Sequence, residues 1–208
     1  NFGLFDLPAA EAMLVNSITP VISSRDALEV WILATAAHRQ RGGIKRPIDV
    51  HLKINTGMNR LGLSLKDVGG VAQRLKAVPD LSLEGVATHF SDGDDFGDLS
   101  PTTKNRSATQ MKLFEEALKE IRSFGFRDFH THVANSSATR GFNALRESAS
   151  DQRSISLGLR PGLSLYGVEP DCHSGTLLGV ESALEFRSEI ALIQDVSRGD
   201  RVSYGGHW

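Results

Sequence analysis

The chain has 208 residues, is 40% hydrophobic and 23% charged, and carries a formal charge of −2. That suffices for one large domain, or for one domain and part of another, of ordinary globular composition. The charge gives no electrostatic reason to expect nucleic acid or an anionic membrane as partner, and no apolar run approaches the roughly 20 residues that a membrane helix needs.

Short β-like runs alternate with longer helical ones. Phe2 to Phe5 reads as the end of a strand, and Pro8 to Val15 as a helix with proline at its start, where a missing N–H costs nothing. Pro20 to Ser23 is a short strand. Asp26 to Arg41 carries Ala27, Val30, Trp31, Leu33 and Ala34 at helical spacing and ends at Gly42-Gly43. A strand over Ile48–Asn55 precedes an amphipathic helix over Leu65–Val78, and Gly85 to Phe90 is again a strand. Ser107 to Gln110 has the Ser-x-x-Gln form of a capping box, opening a helix that runs to about Phe124. Strands over His130–Asn135 and Ser156–Arg160 follow. From about Val180 the texture changes: Leu184, Phe186, Ile190, Leu192, Ile193 and Val196 sit in β-like runs.

Repeated strand–helix units imply a parallel sheet covered by helices. The short strands favour a β/α barrel, and no Gly-x-Gly-x-x-Gly follows any strand, which weakens a dinucleotide-binding sheet. The expected organisation is α/β: an incomplete TIM-like barrel over residues 1–178, then the start of a β-rich domain over 179–208. Asn1-Phe2-Gly3 is no initiator sequence, and the last residues start a segment that stops inside itself, so the chain reads as an internal piece. Cys172 is the only cysteine, which excludes an internal disulfide framework and fits a reducing cytosol.

Barrel active sites lie at the carboxyl ends of the strands. The residues there are Arg60 after the Ile48–Asn55 strand, His89, then Asn135 and Ser136, and finally Arg160 with Gly162. Basic groups, a hydroxyl and glycine-rich backbone on one face suit a small anionic ligand, particularly a phosphate. Metal is not expected. The acidic loop Asp92, Asp94, Asp95, Asp98 fails the EF-hand pattern, because its twelfth position is Thr103. His130 and His132 share a strand face but have no third ligand nearby.

Five segments carry a resemblance. His51-Leu52-Lys53-Ile54-Asn55-Thr56-Gly57-Met58-Asn59-Arg60-Leu61-Gly62 resembles the alanine racemase stretch written HLKxDTGMxRLG. Thr88-His89-Phe90, His132-Val133-Ala134-Asn135-Ser136, Arg160-Pro161-Gly162-Leu163-Ser164-Leu165-Tyr166-Gly167 and Val202-Ser203-Tyr204-Gly205 follow in the family's order. The resemblance implies a barrel binding pyridoxal 5'-phosphate (PLP), a following β-domain, and a cytoplasmic head-to-tail homodimer. Such an enzyme interconverts L-alanine and D-alanine, supplying D-alanine for cell-wall peptidoglycan.

The resemblance also implies roles. Arg160 would bond the pyridine nitrogen, and Ser136 with the backbone of Gly162 and Leu163 would hold the phosphate. Arg60 would contact the cofactor's phenolic oxygen and the substrate carboxylate, and Lys53 would be the lysine often carbamylated to orient it. His89 would bond Arg160, and Asn135 would support the same network. Tyr204 would be the catalytic tyrosine, delivered into the partner subunit's site.

Racemisation needs bases on both faces of the substrate, here Tyr204 and a lysine. The family's cofactor-anchoring lysine lies on the first barrel strand, in a segment expected to precede Asn1, so the piece alone is expected to be inactive. Asn55 stands where the family commonly has Asp. The alternatives are a racemase for serine or of broad specificity, and a non-catalytic PLP-binding barrel, which would have no use for Tyr204.

Overall fold

The computed structural model describes residues 3–43, 46–91, 106–140, 143, 157–168, 179–190, 193, 195 and 198. In chain order the elements are α1 (Leu7–Val15), β1 (Val21–Ile22), α2 (Arg25–Gln40), β2 (Ile48–Lys53), α3 (Leu65–Lys76), β3 (Leu81–Ala87), α4 (Arg106–Ser123), β4 (His130–Ala134), α5 (Ser136–Arg140) and β5 (Leu157–Leu159), closed by a 3-10 turn over Leu163–Tyr166. The strands form one five-stranded sheet in the order β1-β2-β3-β4-β5, every neighbouring pair parallel. A doubly wound sheet reverses its strand order at a switch point; a monotonic order with a helix between successive strands is the arc of a β/α barrel.

Local chemistry explains the helices. Asp6 caps α1 by accepting from Ala9 N at 3.0 Å, and Ser24 caps α2 by accepting from Ala27 N at 3.0 Å. Gly42 ends the second helix at φ +78°, where L side chains are strained. The buried stripe of α2 is Ala27, Leu28, Trp31, Ala34 and Thr35. Leu33 lies off that stripe and is 63% exposed, because 100° per residue carries it away from Trp31 and Ala34. Phe5 belongs to no strand; it packs edge-on against Trp31 at 5.8 Å.

Helices and one sheet face share a single apolar core that includes Val50, Leu52, Ile54, Leu83, Val86 and Val133 from the strands and Trp31, Val71, Leu75, Phe114 and Ile121 from the helices. The alternating residues of β2, His51 and Lys53, do not join that core. In an ordinary barrel this second face is filled with branched apolar side chains. Here it is polar, which marks where the chemistry sits.

Three local expectations are corrected. Ser107 does not cap α4: it lies within the helix, and the Gln110 side chain turns to the strand-end loops (below) instead of back to the first turn. β3 spans Leu81–Ala87 rather than Gly85–Phe90, so His89 stands past its end. Residues 179–190 and Ile193 form no strand, and Leu184, Phe186, Ile190 and Ile193 are exposed. Leu192 and Val196 lie outside the described residues, as do Phe2, Ser156, the acidic loop, Cys172 and Tyr204.

Candidate active site

The loop after β2 is a closed unit. Leu63 N donates to Lys53 O at 2.7 Å, Asn55 N donates to Leu63 O at 2.9 Å, and Ile54 bridges Leu63. Inside the loop the Asn55 carboxamide accepts from Gly57 N at 3.2 Å and from Asn59 N at 3.0 Å, and donates to Asn59 Oδ1 at 3.0 Å. An aspartate could accept both backbone bonds but could not donate the third. Asn55 is therefore matched to Asn59, itself at φ +54°. Asn55→Asp should cost no more than about 1 kcal/mol, as one exposed hydrogen bond is lost and Asn59 can turn its amide. Chemical denaturation checks this.

The ends of β2 and β3 are tied by hydroxyls and one carboxamide. Thr88 Oγ1 donates to Ile54 O at 3.0 Å and accepts from Thr56 Oγ1 at 2.7 Å. Gln110 of α4 donates to Thr56 Oγ1 (3.2 Å) and His89 O (3.1 Å), and accepts from Ser91 N (3.0 Å) and Ser91 Oγ (3.1 Å). Both donors and both lone pairs of this buried amide are used. Gln110→Glu would face a carboxylate toward two acceptors. It should cost about 2–3 kcal/mol in denaturant midpoint, while a surface Gln→Glu would cost almost nothing.

Arg160 follows β5 and extends its ladder through Arg160 N to Ala134 O at 2.7 Å. Its guanidinium donates to Thr88 O (2.7 Å), to His132 O and to His132 Nδ1 (2.9 Å), with His89 Nδ1 at 3.5 Å. His132 Nε2 lies 2.8 Å from His51 Nδ1, and His51 Nε2 lies 3.1 Å from Glu84 Oε2. Thus His89 does approach Arg160, but His132 holds it more closely. Asn135 works one step away: it donates to Phe90 O at 3.2 Å and accepts from Ala138 N at 3.0 Å, which fixes the start of α5. The Ser136 hydroxyl accepts from Gly162 N at 2.8 Å and from Ser164 N at 3.5 Å. Leu163, next in the chain, is exposed.

Charge is concentrated here. Burial lowers the Arg160 pKa to about 10, so at neutral pH the guanidinium is still protonated. Lys53, only 6% exposed, is lowered by burial and by the charges of Arg60 and Arg160. His89 falls to about 4 through burial and the charges of Arg160, Lys53 and Arg60. His132 falls to about 4 through burial, Arg160, His51 and His130. Lys53, Arg60 and Arg160 all act on His89, and such a local excess of positive charge suits an anion.

The two histidines make a pH prediction. Both are neutral in the folded chain, whereas unfolded histidine titrates near 6.5. Below that pH the unfolded state takes up protons that the folded state refuses. Stability is therefore full above about pH 6.5 and falls between pH 6.5 and 4. Melting temperature against pH measures it, and His132→Gln should flatten the slope.

Sequence reasoning placed Arg60, His89, Asn135, Ser136, Arg160 and Gly162 at strand ends, and the resemblance added Lys53. It assigned no part in the site to His51, Glu84 or Thr88, gave Gln110 only a helix-capping role, and weighed His132 only as a metal ligand and as part of a motif. The available signal was two histidines on polar-facing strand positions, His51 and His132, each opposite a glycine, which periodicity alone does not pair. Tyr204 lies outside the described residues. Among the described residues no group of three or more His, Cys, Asp or Glu could hold a metal ion, and no helix is long and apolar enough to cross a membrane.

Comparison with known proteins agrees with the resemblance. The family model "Alanine racemase, N-terminal domain" matches residues 2–170. The alanine racemase of Sorangium cellulosum is 31% identical over 200 residues, covering 95% of this chain and 46% of that protein. That of a Geobacter species is 32% identical over 160 residues, covering 77% and 39%. Among solved structures, alanine racemase from D-cycloserine-producing Streptomyces lavendulae matches with a TM-score of 0.74 at 26% identity, covering 96% of this chain and 48% of that one. A Bartonella henselae alanine racemase with covalently bound pyridoxal phosphate shares the fold, with a TM-score of 0.62 at 21% identity over 87% of this chain and 44% of that one. The chain spans about half the length of the relatives it matches. On its sequence and its fold together, the chain belongs to the alanine racemase family.

Proposed function

We propose that this chain is the cofactor-binding barrel portion of a PLP-dependent alanine racemase. The observation that carries the reading is the pairing of a cation cluster, Lys53, Arg60 and Arg160, with the hydroxyl and backbone cradle of Ser136 and Gly162. The residues present fit the cofactor. Among the described residues the buried Ser164 hydroxyl has no hydrogen-bond partner, an orphan beside Ser136 that a phosphoryl oxygen would satisfy. Among the described residues nothing lies within 4 Å of where a Cβ on Gly162 would stand, which leaves room there for a ligand.

In this reading Ser136, Gly162 and Leu163 would hold the phosphate, and Arg160 would bond the pyridine nitrogen. When bound, PLP supplies the electron sink that acidifies the substrate's α C–H. Arg160 keeps its own protons near pH 7 and so donates a hydrogen bond without passing a proton to the ring. That limits how much charge the ring stores and disfavours transamination. Arg60 binds the substrate carboxylate. Tyr204 Oη, brought by the partner subunit of a head-to-tail homodimer, exchanges the α-proton on one face, and a lysine serves the other. The product D-alanine would feed peptidoglycan synthesis in the cytoplasm.

Lys53 has a further part. Its lowered pKa raises the share of neutral amine, the form that adds carbon dioxide and releases a proton to solvent, leaving a carbamate anion on Lys53 that would pair with Arg60. With ¹³C-bicarbonate a carbamate carbonyl resonance is expected, and it should vanish in Lys53→Arg. Its absence from the wild type would remove this role.

The activity is tested by D-alanine formation from L-alanine with the full-length gene product across a panel of amino acids. Alanine is expected to turn over fastest, and Tyr204→Phe to lose activity in at least one direction. No D-amino acid from any substrate would overturn the reading.

A further inference from the structure

Glu84, His51 and His132 form a line of hydrogen bonds that ends on Arg160. The direction of every bond in it follows from its two ends. A guanidinium has donors and no acceptor, so His132 Nδ1 must accept from Arg160. A neutral imidazole that accepts at Nδ1 carries its proton on Nε2, so His132 donates to His51 Nδ1. His51 then carries its own proton on Nε2 and donates it to the Glu84 carboxylate. The opposite direction fails: it would require His132 to accept at both nitrogens, which only an imidazolate can do. A protonated His132 fails too, since it would point N–H at N–H.

The backbone is built to admit this line. β2 and β3 change register between Val50 and His51: Val50 pairs with Leu83 but His51 with Gly85, so Glu84 is the residue passed over. Such a bulge re-aims side chains. A Cβ on Gly85 would lie 2.4–2.5 Å from the His51 ring, and one on Gly158, which pairs with His132, would lie 3.1 Å from His132 Cβ. Glycine opposite each histidine gives both rings room on the polar face.

We propose that Glu84 and His51 are positioning residues: with His132 they form a one-directional chain that fixes both imidazoles as neutral Nε2–H tautomers and presents an acceptor to Arg160. The chain runs from Glu84, whose side chain is 43% exposed, through His51 at 21%, to the half-buried guanidinium. It holds the guanidinium plane against Thr88 O and His132 O, which would orient it for the ring nitrogen, a purpose that rests on the racemase reading. The tautomers themselves rest on the geometry alone.

The test is ¹⁵N NMR of histidine side chains in the chain as it stands, without PLP or alanine, across the neutral pH range. Both His51 and His132 should show the neutral Nε2–H pattern. Glu84→Gln keeps an acceptor and should retain it. Glu84→Leu removes the acceptor of the His51 Nε2–H and should shift that nitrogen's resonance, while His132, held from the Arg160 end, keeps its Nε2–H. Gly85→Ala should uncouple the two rings while leaving every titratable group in place. An Nδ1–H or protonated His132 in the wild type would overturn the proposal, whether or not any variant folds. So would an unchanged His51 Nε2 resonance in Glu84→Leu, the result expected if Glu84 accepted no hydrogen bond from His51. Failure of the full-length protein to form D-alanine would overturn the racemase reading and leave these tautomers standing.

Discussion

Arg160→Leu is expected to lower stability by about 3–5 kcal/mol and to reduce PLP affinity at least 10-fold. The guanidinium is the common donor to Thr88 O, His132 O and His132 Nδ1, so its removal leaves three acceptors facing an apolar side chain. Each unsatisfied buried acceptor costs about 1–3 kcal/mol, less what local relaxation returns. Arg160→Lys should recover under half of the loss, because an ammonium cannot span carbonyls on the β3 and β4 sides in one plane as the guanidinium does. Urea denaturation with an unchanged slope reads the stability change, and equilibrium dialysis reads the cofactor. A loss below about 1 kcal/mol would show that the network is not held through Arg160.

Gly62→Ala is expected to cost about 2–4 kcal/mol and to displace Arg60. Gly62 has φ +133°, and a Cβ there would stand 2.7 Å from Asn55 N and 2.9 Å from Ile54 C. These are backbone atoms of the two residues that close the loop, so neither can rotate away. Gly57→Ala is the control. Its φ is similar at +141°, but its Cβ would meet only the Gln110 side chain at 3.5 Å, an ordinary contact. Gly57→Ala should therefore show the backbone strain alone, about 1–2 kcal/mol. In the full-length protein Gly62→Ala should raise KM for alanine more than it changes cofactor affinity, since Arg60 sits two residues from the forced opening. Equal losses for the two glycines would refute the steric account.

The racemase motifs were legible because they are contiguous. Loop 55–62 writes its own structure: Asn55 caps it, Asn59 and Gly57 take positive φ, and Gly62 alone fits against Ile54. Caps at Asp6 and Ser24 and the α2 stripe are likewise set within a few residues. The capping-box reading of Ser107 and Gln110 failed for the opposite reason. A carboxamide that can satisfy all its bonds on Thr56, His89 and Ser91 gains more there than on its own helix turn.

Taken alone, the order of strand and helix signals and the five motifs determined the β/α architecture, the family and the residues at the strand ends. Which of those residues touch was decided by the tertiary structure. His51, Glu84, His132 and Arg160 are brought together across four neighbouring strands and their ends, by parallel pairing, by two register shifts and by the glycines opposite the rings. Residues up to 109 positions apart meet there only because side-chain direction follows register, and a one-residue slip would turn every ring to the other face. Local sequence carries propensity and spacing; register is a property of the pairing, and with it come the partners of Arg160.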